Sequence, residues 1–160
     1  MELPWPYIVA QNPAMAHTHH PLAVVTAAAS GIGLQLAHQC AGAGFDLVIV
    51  ADRPLAFAMK VLTDRGAAVE AIEADLSSTR GIDALLARLV DRRVDALLAN
   101  AGACQDQLTS TLYLVRSIAR SMRKRGQGEI LITGSIPGCR ALREELKDSG
   151  VTVNWIHSHD

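Results

Sequence analysis

The sequence predicts a doubly wound α/β domain, a mainly parallel sheet of six strands with helices layered on both faces. Short apolar runs recur without polar alternation, as strands buried on both faces require. Between them lie Ala- and Leu-rich stretches with helical spacing. Aromatic residues make up only 4% of a chain that is 49% hydrophobic, so the core has to be aliphatic, which suits closely packed helix and sheet layers.

The elements alternate from the start. Leu22–Ala27 reads as a first strand, followed by Gly31-Ile32-Gly33 and an Ala/Leu-rich helix to Gly44. Asp46–Ala51 (DLVIVA) is a second strand, and a helix over Pro54–Arg65 starts at proline and stops at Gly66, the asymmetry that helix ends prefer. Ala68–Glu73 is a strand, Ser78–Arg92 a helix and Val94–Ala99 a strand. A long helix over Gln107–Arg125 carries Leu108, Leu112, Val115, Ala119 and Met122 on one side, with Arg116, Arg120, Arg123 and Lys124 on others. Glu129–Thr133, a helix over Arg140–Ser149 and a strand over Val151–Ile156 complete the series. Met59 and Met122 read as core fillers.

With 160 residues the chain has room for one domain, which we place at residues 21–160 behind a flexible extension of residues 1–20. The formal charge of −1 gives no global field for nucleic acid or an anionic membrane, and no apolar run is long enough to span a bilayer. The first residues carry Pro4, Pro6, Pro13 and Pro21 in place of a basic segment and an apolar one, unlike a signal peptide. A cytoplasmic protein is the expectation. Cys40, Cys104 and Cys139 form no CxxC pair and read as free thiols, Cys40 packed in the first helix and the other two beside the carboxyl ends of the strands. His17, His19, His20, His157 and His159 sit near the chain ends without an ordered surrounding, so no metal is expected there. The basic run Arg120–Arg125 reads as a solvated helix end.

The first strand leads into Thr26-Ala27-Ala28-Ala29-Ser30-Gly31-Ile32-Gly33. Small residues in such a turn let the backbone approach a pyrophosphate, and the helix N-terminus presents unpaired N–H groups to its charge. Asp52 ends the second strand, where a carboxylate can hydrogen-bond ribose hydroxyls. With Asp75-Leu76 after the third strand, Asn100-Ala101-Gly102 after the fourth and Ile130–Gly138 (ILITGSIPG) in the fifth, the chain resembles the short-chain dehydrogenase/reductase family from about Pro21 to Asn154.

That resemblance implies a three-layer Rossmann fold and hydride transfer between a nicotinamide dinucleotide and an alcohol or carbonyl carbon. It implies that Thr26, Ser30, Gly31, Ile32 and Gly33 form the cofactor loop and that Asp75 and Leu76 contact adenine. Asn100, Ala101 and Gly102 would border the cofactor, and Ser135 would be the catalytic serine. Asp52 matches relatives that prefer NAD, while Arg53 beside it offers a partner for the 2′-phosphate of NADP.

The chain departs from the family at the chemistry. Ala27 stands where the family has glycine, and a Cβ at positive φ costs about 1 kcal/mol. The family's general acid/base is a tyrosine in Tyr-x-x-x-Lys about a dozen residues past the serine. This chain has two tyrosines, Tyr7 and Tyr113, followed four residues on by Gln11 and Ser117, and Asp148 lies thirteen residues beyond Ser135. Gly138-Cys139 runs directly into Arg140-Ala141-Leu142, as if the catalytic segment were deleted. Gln107 falls near the family's supporting asparagine, one methylene longer. His157-Ser158 replaces the usual Pro-Gly after the sixth strand. The sequence therefore supports an oxidoreductase-family dinucleotide-binding domain, with a catalytically inactive binding or interaction remnant as the alternative. A trimmed helix face leaves apolar sheet surface uncovered, which favours self-association into a homo-oligomer or marginal stability; the substrate is not specified.

Overall fold

A computed structural model describes residues 20–29, 31–100, 105–134 and 138–156, with backbone alone for 105–108. The elements in order are β1 (Leu22–Thr26), α1 (Gly31–Gly42), β2 (Asp46–Ala51), α2 (Ala56–Thr63), β3 (Val69–Glu73) and α3 (Thr79–Leu89). They continue with β4 (Ala96–Asn100), α4 (Gln105–Arg125), β5 (Gly128–Thr133), α5 (Cys139–Glu145) and β6 (Val151–Ile156). The strands lie in the order β3-β2-β1-β4-β5-β6, every neighbouring pair parallel. This is the three-layer Rossmann arrangement that the sequence predicts.

Strands β1, β2 and β4 are apolar on both faces because helices cover both. One core joins Val24, Val48, Leu97 and Ile130 to α3, α4 and α5 through Ile82, Leu85, Val115, Met122 and Leu142. The other joins Ala23, Val25, Ile49 and Leu98 to α1 and α2 through Leu36, Cys40, Ala58 and Leu62. The chain moves one way from β1 to β3, then returns to lay β4 on the other side of β1. At such a reversal the crossovers leave to opposite faces, and a crevice opens at the carboxyl ends of the strands.

Several local expectations shift. Met59 is exposed, because α2 turns Ala58 and Leu62 inward and Met59 falls outside that face. The buried side of α4 runs through Leu114, Val115, Ile118, Ala119 and Met122, and Leu112 is half-buried. Arg125 is more than a solvated cation: its Nη2 donates to the Val94 carbonyl at 2.6 Å, and partial burial lowers its pKa. Strand β4 begins at Ala96, and the Asp95 before it uses its buried carboxylate to accept the Leu22 N–H (2.9 Å) and Arg93 Nε (3.0 Å). The last crossover helix ends at Glu145, short of the expected Ser149. Beyond it Asp148 (φ 66°) and Gly150 (φ 88°) turn the chain tightly. A Cβ on Gly150 would lie 1.9 Å from the Gly126 carbonyl oxygen, so only glycine lets the two loops touch.

Candidate cofactor site

The carboxyl ends of β1, β2, β3 and β4 surround a crevice of about 190 Å³ lined by Thr26, Asp52, Asp75, Leu76 and Asn100 among others. At the end of β1 the chain must leave the sheet and enter α1 within a few residues. Ala27 makes the turn with φ 53°, the left-handed region, and the Ala28 N–H bonds back to the Val50 carbonyl at 3.2 Å. Gly31 follows with φ 62°. A Cβ on Gly33 would stand 2.0 Å from the Ala27 carbonyl oxygen, so the first turn of α1 packs on the strand end only because that residue is glycine. Ile32 between them is exposed. Ser30 lies outside the described residues.

Asp52 and Arg53 follow β2, both exposed, with Arg53 Nε 3.4 Å from Asp52 Oδ1. Asp52 borders the crevice and Arg53 does not. After β3, Asp75 Oδ1 accepts from the Ser77 N–H (3.0 Å) and the Ser77 hydroxyl (2.5 Å). These bonds favour the ionised form and lower the Asp75 pKa below its ordinary 3.8. Ser78 then caps α3 by accepting the Gly81 N–H at 3.1 Å.

Asn100 ties the rim together. Its main-chain N–H donates to Thr26 Oγ1 at 2.9 Å, its side-chain amide donates to the Thr26 carbonyl, and its Oδ1 accepts from the Thr133 hydroxyl at 2.5 Å. One side chain thus fixes the ends of β1, β4 and β5 against each other. Its amide is committed to the protein, so Asn100 shapes the crevice floor. Thr133 and the crevice residues Ser77, Ser110 and Thr111 were not anticipated from the sequence. Ser110 donates to the Ser77 carbonyl at 3.0 Å and ties α4 to the loop after β3. The apolar spacing of α4 runs unbroken from Leu108 through Leu112 to Val115, so nothing local in the sequence marked Ser110 and Thr111.

Ala101, Gly102, Cys104 and Ser135 lie outside the described residues, as do His17, His19, His157 and His159; Gln107 falls in the first turn of α4, its side chain undescribed. Cys139 is buried in the core under α5. Tyr113 is turned away from the crevice. Its hydroxyl donates to Asp83 on α3 at 2.9 Å, and that bond, with the carboxylate's charge, raises the phenol pKa above 10.0.

A family model described as short chain dehydrogenase matches residues 21–141. The chain belongs to the short chain dehydrogenase family. A Streptomyces coelicolor protein with the provisional name ketoacyl reductase is 27% identical, over 89% of this chain and 71% of its own length. The alignment runs over 185 positions, yet 89% of 160 residues is about 142, so about 43 positions face gaps inside this chain. The bulky-bulky ketone specific alcohol dehydrogenase of Comamonas testosteroni is 26% identical, with a TM-score of 0.74 over 88% of this chain and 74% of that one. A metagenomic short-chain oxidoreductase solved with NADP has the same fold at 22% identity, TM-score 0.76, over 88% of this chain and 81% of that one. No helix among the described residues is long and apolar enough to cross a membrane.

Proposed function

We propose that this chain binds a nicotinamide dinucleotide, NAD ahead of NADP, at the carboxyl ends of β1 to β4, and that it does not turn over alcohols or carbonyls by the family's phenol route. One observation carries the binding claim: Thr26, Asp52, Asp75, Leu76 and Asn100, from the ends of four strands, converge on one crevice at the sheet's topological switch point. The residues suit the group. The glycine at 33 keeps the turn closed on the strand end, and the first N–H groups of α1 favour a diphosphate.

Gly31, Ile32 and Gly33, with Ser30, would hold the diphosphate. Asp52 would accept from the adenosine ribose hydroxyls and repel a 2′-phosphate, while Arg53 is drawn toward Asp52. Asp75 and Leu76 would border the adenine, and Ala101 and Gly102 the central part of the cofactor. When bound, the nicotinamide supplies a hydride donor or acceptor.

A carbonyl reduction also needs a proton delivered beside that hydride, from a group whose pKa suits the working pH. By family resemblance Ser135 stands at the catalytic serine, which works beside the tyrosine that delivers the proton; without that lysine-tuned phenol a serine is a poor acid. Tyr113 is bound to Asp83 with its pKa moved the wrong way. Asp148 sits in the turn before β6, beyond α5. The second reading, hydride transfer as in the family's enzymes, is favoured by the family match alone.

The test is titration with NADH and NADPH, read by nucleotide fluorescence and melting temperature, beside an assay of an alcohol and ketone panel. Binding of NADH without turnover is the expected result. Steady turnover would establish the second reading, and no change with either nucleotide at millimolar concentration would remove the binding claim.

A further inference from the structure

Helices α3 and α4 lie side by side on one face of the sheet, and two hollows open along the seam between them. At the carboxyl ends of the strands, Ile82 and Leu114 help line the crevice of the candidate cofactor site. One helical turn further along each helix, Leu86 and Ile118 line a second cavity, of about 130 Å³, at the amino end of β4. Its inner wall is apolar, with Leu89, Val94 and Ile118 all buried. Its mouth is polar: Arg92, Arg125 and Ser121 border it, and Val90 stands beside them 78% exposed. The cations here are unevenly matched. Glu70 serves both Arg88 and Arg92, one oxygen to each, and the buried Asp95 carboxylate serves Arg93 and the Leu22 N–H. Arg125 pairs with no carboxylate among the described residues; its Nη2 donates to the neutral Val94 carbonyl at 2.6 Å. Partial burial, and then the neighbouring Arg93 charge, lower its pKa, so the charged form is held there at a cost that an anion would offset.

We propose that this cavity binds a short-chain aliphatic carboxylate, its chain against Leu86, Leu89, Val94 and Ile118 and its carboxylate at Arg125. Charge selects the head group. The planar guanidinium fork matches the two oxygens of a carboxylate, and the Ser121 hydroxyl adds a donor at the same mouth. The wall selects the tail. Ser117 lies on that wall but spends its hydroxyl on the Tyr113 carbonyl at 2.9 Å, so the interior favours carbon. The size selects a short chain, since pockets for drug-sized ligands start at about 300 Å³. Inorganic phosphate would meet the guanidinium and leave the apolar wall unfilled; an alcohol of the same length would fill the wall and leave the cation unmatched. The site is separate from the crevice at the carboxyl ends of the strands, so it stands whether or not a nucleotide binds there.

The test titrates the whole chain with hexanoate and follows its amide resonances. Shifts should appear at Val90, Arg92, Val94, Ser121 and Arg125 and saturate at millimolar concentration, with Asp75 and Leu76 at the crevice unmoved. Hexanol, which has the chain without the charge, and inorganic phosphate, which has charge without the chain, should each bind at least about tenfold more weakly. Val90 is exposed enough to change without disturbing the core, so Val90→Glu sets an anion at the mouth and Val90→Lys a cation. The first should weaken hexanoate and the second tighten it, each by about threefold or more. No saturable shift at the cavity, hexanol or phosphate binding as tightly as hexanoate, or an affinity indifferent to the charge at position 90 would each overturn the proposal.

Discussion

Ala27 holds φ 53° in the turn that the first turn of α1 closes upon. An L-residue there costs about 1–2 kcal/mol, offset in part because glycine loses more chain entropy on folding. Ala27→Gly should therefore stabilise the protein by about 0.5–1 kcal/mol, seen as a higher melting temperature, and tighten NADH binding. The sequence pointed to this position only through the glycine that the family has there, and the structure supplies the positive φ. At Tyr113 the raised pKa means that the folded state holds the phenolic proton more tightly than the unfolded chain. The resulting stabilisation is fully present below pH 10.0, the ordinary value, and is lost as pH rises through the folded value. A spectrophotometric phenol titration should place Tyr113 above 10.0, and Tyr113→Phe should leave nucleotide affinity unchanged. Asp75 works in the opposite sense: its bonds to Ser77 persist above pH 3.8 and are lost only as pH falls through a lower folded value.

Among the elements, Asn100 connects the most structure with one side chain. Asn100→Ala removes the amide bonds to Thr26 and Thr133 at the rim of three strands, at a cost of about 2–3 kcal/mol in chemical denaturation. Thr133→Val, which leaves Asn100 Oδ1 without its donor, should cost about half as much. The sequence made the strands and helices readable because buried parallel strands need uninterrupted apolar runs and crossover helices need a stripe. Their ends were less readable. Asp95 is a charged residue in an apolar run, and its burial before β4 rests on bonds to Leu22 and Arg93, the first of them far away in sequence. The early end of α5 at Glu145 was equally hidden, as was the packing of Gly150 on Gly126, residues far apart in sequence.

For the whole molecule, the crevice half of the site was legible and the supporting half was not. Asp52, Asp75 and Asn100 sit at strand ends, which the apolar runs mark. Ser110, Thr111 and Leu114 reach the crevice from the middle of α4, through a crossover whose packing no local pattern reveals. The gaps inside the alignment to the Streptomyces protein agree with a chain shortened within its length. Under the proposed function the crevice retains its nucleotide while the phenol relay is lost. The most direct measurement is calorimetric titration of NADH into the wild type and into Gly33→Ala, whose Cβ would strike the Ala27 carbonyl. Saturable heat in the wild type that is lost in a folded Gly33→Ala is the expected result; equal heat in both, or none in the wild type, would contradict it.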